Sequence, residues 1–198
     1  MLSQILKLMK LTIVNPKEGA ATVLSFSFGR EVLWMILGLI VVLSGILSRL
    51  ASLLAPPTGA PELTAQFLTS PLLSALIVFG VLMLMVICTH FIGRGFGGTG
   101  EFNESLSLVI WLQAIMLMLQ VVQLFVLPIS PFLAGLIGFG SVILFLWLYV
   151  HFVAVLHGFS SVPLVFAGLM VSIFAVGFGL SIIAGLIAAL FGMEIGRV

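Results

Sequence analysis

Charge is what this sequence has least of. Its 198 residues include seven Lys and Arg and six Asp and Glu side chains, 7% of the chain, whereas 62% of the residues are hydrophobic. An ordinary soluble domain is about 25% charged. So few charged groups cannot supply the polar surface that a water-soluble fold of this length needs. The composition therefore excludes an ordinary soluble domain and indicates one embedded in lipid.

Cysteine and reactive motifs are also scarce. Cys88 is the only cysteine and lies inside an apolar run, so an intrachain disulfide is excluded and a small buried hydrophobe is its simplest interpretation. The net charge of +1, without a basic run interleaved with aromatics, gives no indication of nucleic acid binding. The sequence has no Gly-Lys-Ser/Thr, His-x-x-x-His or Glu-x-x-His pattern. We therefore expect no catalytic residue, metal or cofactor, and predict that the chain is not an enzyme.

Long apolar runs are what the sequence does have. Five of them can cross about 30 Å of hydrocarbon as helices, since a lone segment in lipid must satisfy its own backbone polar groups. They are predicted at about 32–54, 72–92, 106–127, 132–156 and 162–191. Prolines fall at their starts or just past their ends, where a missing amide hydrogen costs least: Pro56, Pro71, Pro128, Pro131 and Pro163. The predicted fold is an all-α integral membrane protein that forms one transmembrane domain over residues 1–198.

The first and fifth spans are both long. The first is expected to be retained rather than cleaved as a signal peptide, because its apolar core exceeds the usual 7–15 residues. The fifth is longer than one crossing requires and could tilt or bend near Gly177–Gly179. It also carries small residues at four-residue spacing, which predict close helix packing: Gly177, Ser181, Gly185 and Ala189.

The segment before the first span has helical periodicity. Its apolar residues recur on one side, with Lys7 and Lys10 elsewhere, and Asn15-Pro16 follows. We predict an amphipathic helix over 1–15 that lies in the membrane interface, with both lysines toward anionic headgroups. The alternative is a partner-binding helix.

Basic residues predict the orientation. With the N-terminus in the cytoplasm, five of them lie inside and two outside, which the positive-inside rule favours. The inner ones are Lys7, Lys10, Lys17, Arg30 and Arg94, and the outer ones are Arg49 and Arg197. An odd number of spans then puts the C-terminus outside, and the expected location is a bacterial cytoplasmic (inner) membrane.

Three glutamines follow one side of the third span. Gln113 and Gln120 are two turns apart, and Gln123 lies one turn beyond Gln120. Polar groups inside a membrane are costly, so they are candidates for function. They could line a polar path or pocket, or form interhelical hydrogen bonds that fix packing or an oligomer.

Ionisable groups gather toward the predicted cytoplasmic ends of the spans. A candidate cytoplasmic-face cluster comprises His90, Arg94, Glu101, Glu104 and His157. The glycine-rich stretch 93–100 invites a phosphate-binding interpretation but lacks the strand context that such loops need. A hairpin in which glycines supply positive φ is the better interpretation, and Glu101 and Glu104 suit a helix N-terminus.

The layout of the sequence resembles that of a known family. A short N-terminal segment with Asn15-Pro16, five spans and the loop Gly97-Gly98-Thr99-Gly100-Glu101-Phe102 resemble bacterial members of the Yip family, the Ypt/Rab-interacting membrane proteins. Similar sequences carry a glycine-serine turn between the last two spans, matched here by residues 157–161. In eukaryotic relatives, a cytosolic N-terminal region binds Rab-type GTPases in vesicle trafficking. The resemblance brings no catalytic residues.

The favoured functional hypothesis is a non-enzymatic membrane scaffold or partner-binding protein. Its expected partners are the lipid bilayer and either a second copy or another membrane protein, and not nucleic acid. One alternative is a small transporter or channel with a path along Gln113, Gln120 and Gln123. Another is a lipid-modifying enzyme that uses His90, Glu104 and His157.

Overall fold

The regular structure is entirely α-helical in the residues that the structure, a computed structural model, describes, which are 2–55 and 70–190. The helices of these ranges are α1 (Leu2–Val14), α2 (Pro16–Ser25), α3 (Arg30–Leu54), α4 (Pro71–Gly95), α5 (Phe102–Val126), α6 (Pro131–His157) and α7 (Val162–Leu190).

Helices α3 to α7 are long and apolar enough to cross a membrane, over Arg30–Leu54, Leu72–Gly95, Phe102–Val126, Pro131–His157 and Val162–Ile183. The predicted all-α class and the five spans are confirmed. Three predicted features lie outside the described residues: the span boundary at Pro56, the helix end at Phe191 and the outer charge of Arg197.

Two helix ends differ from the predicted ones. Helix α4 continues through Gly93 to Gly95, and α5 begins at Phe102, four residues earlier than expected. The early start has a local cause: the Glu104 carboxylate accepts a hydrogen bond of 2.8 Å from the Glu101 amide. Such a capping contact satisfies an amide that the first helical turn would leave unpaired. The overlong fifth span is one continuous helix, α7.

An additional helix, α2, was not predicted. Asn15 does end α1, but Pro16 occupies the first turn of a new helix, where its lack of an amide hydrogen is tolerated. Gly19 lies against α1: a Cβ atom there would be 2.5 Å from Thr12 Oγ1. Helices α1 and α2 thus form a closely packed pair, and we call residues 2–25 the N-terminal hairpin.

Helix α5 is the centre of a four-helix bundle and packs against α3, α4 and α6. Helices α3, α4 and α5 share an apolar core that includes Leu37, Val86 and Leu106, each fully buried. The N-terminal hairpin packs on this bundle, chiefly through α2 against α5 and α6. We call the end at which α3 and α5 begin and α4 and α6 end the histidine end.

Contacts divide the chain into two compact units, Met1–Phe159 and Ser160–Val198. The first contains the hairpin and the bundle, and the second contains α7. The prediction of a single transmembrane domain stays a prediction.

Candidate functional site

The side chain of His157 occupies a socket made of glycines at the histidine end. His157 is the last residue of α6 and is 3% exposed. Its imidazole lies where Cβ atoms on Gly93 and Gly98 would have to be, and a Cβ on Gly100 would be 2.6 Å from Leu156 Cγ. Gly93, Gly98 and Gly100 therefore allow the close approach of this ring. The hairpin prediction expected glycines to supply positive φ, and among the glycines of this stretch Gly97 alone does so, with a φ of 87°.

Hydrogen bonds determine which nitrogen of His157 carries a proton. The Gly100 amide donates to His157 Nδ1 at 3.2 Å, so Nδ1 must be unprotonated. His157 Nε2 lies 2.9 Å from the Thr89 carbonyl oxygen, which can only accept, so Nε2 carries the hydrogen. The ring is neutral and both nitrogens are bonded to backbone groups.

His90 binds the other side of the same peptide segment. Its Nδ1 lies 3.2 Å from the Gly100 carbonyl oxygen and donates to it. Its ring is nearly perpendicular to that of Phe102, with centroids 5.9 Å apart, and the Arg30 guanidinium lies 5.9 Å from the centroid of Phe102. Gly100 is therefore held between histidines of α4 and α6, its amide by one and its carbonyl by the other.

Thr89 extends this network into the bundle. Its hydroxyl donates to the Met85 carbonyl at 2.7 Å, so its 2.7 Å contact with Tyr149 Oη is a bond that the tyrosine donates. Thr89 and Tyr149 are both buried. Beside them is a cavity of about 10 Å³, lined otherwise by apolar side chains of α5 and α6. It has room for about one water molecule, and no glutamine lines it.

The remaining members of the predicted cytoplasmic-face cluster lie around this network. Glu101 and Glu104 cap α5, whereas Arg94, in the last turn of α4, is exposed. The structure thus brings His90 and His157 together on Gly100. Among the described residues, no three His, Cys, Asp or Glu side chains converge in a way that could hold a metal ion.

The glutamines of α5 point to different neighbours. Gln120 Nε2 donates to the Ser44 carbonyl of α3 at 3.4 Å, and Gln123 Nε2 donates to the Ala134 carbonyl of α6 at 3.1 Å. Gly138 leaves room for Gln123, since a Cβ there would be 2.9 Å from Nε2. Gln113 is half-buried, and its side chain makes no hydrogen bond within residues 2–55 and 70–190.

A partly buried hydrogen bond joins the N-terminal hairpin to the bundle. Trp111 Nε1 of α5 donates to the Thr12 hydroxyl at 3.1 Å, and that hydroxyl donates to the Leu8 carbonyl at 2.8 Å. Thr12 is fully buried, whereas Lys7 and Lys10 are exposed.

In the second unit, the small residues Gly177, Ser181, Gly185 and Ala189 all lie in α7.

The Yip1 domain matches residues 10–191, nearly the whole chain. The chain belongs to the Yip1 family. No curated protein matches it. No solved structure matches it either.

This membership confirms the resemblance to the Yip family that the sequence indicated. One residue links the two stretches that carried the resemblance of this Yip1 chain: His157, the first residue of 157–161, lies against Gly98 and Gly100 of 97–102. The Yip1 family is not known as an enzyme family. With five apolar spans, this member is an integral membrane protein.

Sequence reasoning missed four residues that build the polar contacts of this Yip1 chain: Thr12, Thr89, Trp111 and Tyr149. One signal was present. A tryptophan or tyrosine inside an apolar span carries a hydrogen that needs an acceptor when it is buried. The acceptors could not be identified, because each lies on a helix distant in the sequence.

Proposed function

We propose that this Yip1 protein is a non-enzymatic membrane scaffold that holds a partner protein, or a second copy of itself, through its N-terminal hairpin. The observation that carries the proposal is the use of the buried polar groups. His90, Thr89, Tyr149, His157, Gln120 and Gln123 bond to other parts of the same bundle. Groups used in this way stabilise a platform and are not free to act on a substrate.

The histidine pair supports a structural role over catalysis. A general acid or base must reach the proton that it transfers. His157 is buried, and both of its nitrogens are engaged by the backbone of Thr89 and Gly100. A lipid-modifying enzyme built on His90, Glu104 and His157 would have to break these bonds before each turnover.

The outward side of α2 supports partner binding. Pro16, Gly19, Ala20 and Val23 are buried on one side of this helix. The opposite side presents Lys17, Glu18, Ala21 and Ser25 to the surroundings. A short helix held against a bundle, with a polar side left open, is a surface that a second protein can contact. The basic residues predict an orientation in which this surface faces the cytoplasm, with the protein in a bacterial inner membrane.

Crosslinking in the membrane tests the proposal. The full chain, with Cys88→Ala so that no native thiol interferes, is treated with a short crosslinker in intact membranes and then purified in detergent. We expect a crosslinked species of defined mass, either a dimer or a complex with one other protein. A protein that stays monomeric and without a partner under these conditions contradicts the proposal.

A small transporter or channel is the second candidate, and one observation favours it. Gln113 is half-buried and unpaired within the described ranges, so it could contact a polar solute. Solute flux into vesicles that contain the protein, reduced by Gln113→Leu but not by Gln123→Leu, would support this function. The absence of flux, or flux that survives Gln113→Leu and Gln120→Leu, would contradict the predicted path.

A further inference from the structure

Helix α1 has three distinct sides. One side is attached to the bundle through Thr12 and Trp111. A second side exposes apolar residues, among them Leu6 at 45% and Ile13 at 41%, which are two turns apart on one face. A third side carries the exposed Lys7 and Lys10. Lys10 lies four residues after Leu6 and three before Ile13, so the cationic and apolar sides adjoin.

The charge of this surface has one sign. Helix α1 contains no acidic residue. The acid nearest to it in the sequence is Glu18, whose carboxylate accepts a hydrogen bond of 2.9 Å from Asn15 Nδ2. Lys17 adds a third exposed cation to the hairpin. An anion that approaches α1 therefore meets lysines and no competing carboxylate on that helix.

An exposed aromatic pair follows the hairpin. Phe26 and Phe28 are 48% and 45% exposed, and their ring centroids are 5.7 Å apart. They lie between the end of α2 and Arg30, the first residue of the α3 span. Exposed phenyl rings directly before a span belong at the boundary between lipid tails and headgroups rather than in water.

We propose that α1 lies at this boundary and that Lys7 and Lys10 bind the phosphate groups of anionic phospholipids. This inference rests on the proposed function, because it names lipid as what α1 of the hairpin binds and leaves α2 free to bind a partner protein. A free phosphate would satisfy the lysines but would leave Leu6 and Ile13 exposed to water, whereas a lipid covers both. The scaffold would thereby concentrate anionic lipids around itself.

Lipid selectivity of the full chain tests this inference. The protein is reconstituted in vesicles of phosphatidylcholine that contain a minor fraction of spin-labelled phosphatidylglycerol or spin-labelled phosphatidylcholine, and the motionally restricted fraction of each label is measured. We expect phosphatidylglycerol to be preferred. In the variant with both Lys7→Gln and Lys10→Gln, the preference for phosphatidylglycerol should fall by about fivefold for each lysine that is replaced. Lys7→Arg with Lys10→Arg should keep it.

Arg49→Gln provides the matched control, since Arg49 is an exposed cation at the opposite end of α3. Equal losses in this control and in the double lysine variant would overturn the inference, as would unchanged selectivity in the lysine variant. The wild-type preference should also fall as salt rises, a measurement that needs no variant. Displacement of the lipid by millimolar inorganic phosphate would show a free-anion site and would equally overturn it. Crosslinking through α2 is measured separately, so failure of one proposal is distinguishable from failure of the other.

Discussion

The amide of Gly100 donates a hydrogen bond to Nδ1 of His157, a residue 57 positions later in the chain. The bond joins the loop between α4 and α5 to the end of α6. It requires the neutral ring to carry its hydrogen on Nε2, where the Thr89 carbonyl accepts it. The glycine-rich loop is thus explained by the ring that it receives, and no bound phosphate is needed to account for it.

The glycine socket predicts a contrast between two glycines at the end of one helix. Gly93→Ala puts a Cβ into the imidazole of His157, whereas nothing lies within 4 Å of a Cβ on Gly95. Overpacking costs about 1–3 kcal/mol, so Gly93→Ala should lower the free energy of unfolding by that amount. Gly95→Ala should be neutral or slightly stabilising. Thermal unfolding in detergent measures both, and equal effects would show that the socket is not filled.

The two histidines should differ in their contribution to stability. His157→Ala leaves the Gly100 amide without its partner in a buried site, which costs about 1–3 kcal/mol before any effect of the vacated space is counted. His90→Ala loses one bond at a half-buried position and should cost about 0.5–1.5 kcal/mol. Unfolding by denaturant gives the two values. A larger cost for His90→Ala would reverse the assignment of His157 as the central residue.

Docking of the N-terminal hairpin should depend on Thr12 and Trp111 together. A double-mutant cycle with Thr12→Val and Trp111→Phe should give a coupling free energy of about 1 kcal/mol, the usual net value of one hydrogen bond. Amide hydrogen exchange in α1 should become faster in each single variant. Thr22→Val is the control, since the Thr22 hydroxyl donates to the Glu18 carbonyl of its own helix. No coupling between Thr12 and Trp111 would mean that the hairpin is held by other contacts.

The glutamines of α5 should contribute differently to stability, because their hydrogen-bond partners differ. Gln123→Leu removes the bond between α5 and α6 and should cost about 0.6 kcal/mol, with about 1.7 kcal/mol as the upper end for such bonds in membranes. Gln113→Leu removes no hydrogen bond within the described ranges and should change stability by less than about 0.5 kcal/mol. Unfolding in mixed micelles distinguishes the two. A greater loss for Gln113→Leu would point to a partner or solute that this glutamine contacts.

The spans could be predicted from the sequence because lipid imposes a strong constraint. A segment in hydrocarbon must be apolar, long and helical, and each of these properties can be read without knowing the neighbours. Helix α2 escaped prediction for the opposite reason. It is ten residues long and contains Gly19 and Ala20, whose small size allows close packing against α1 and the bundle. Its helicity depends on tertiary contacts that local sequence does not contain.

The site was predictable as a list of residues and not as an arrangement. The sequence places His90, Glu101, Glu104 and His157 toward one end of the spans, because helix direction alternates. It does not reveal that glycines of one loop accommodate His157, nor that Gln120 and Gln123 contact different helices, because both facts depend on how the helices are rotated about their axes. A uniformly apolar helix carries little information about that rotation.

The central claim is that the hairpin is a docking platform, and site-specific photocrosslinking in intact membranes tests it most directly. A photoreactive residue replaces Ala21, on the outward side of α2, and in a separate variant replaces Met35, an exposed apolar residue of α3. The account predicts a crosslinked species of one defined mass from position 21 and none of that mass from position 35. Crosslinks to lipid alone from position 21, or the same protein species from both positions, would contradict it.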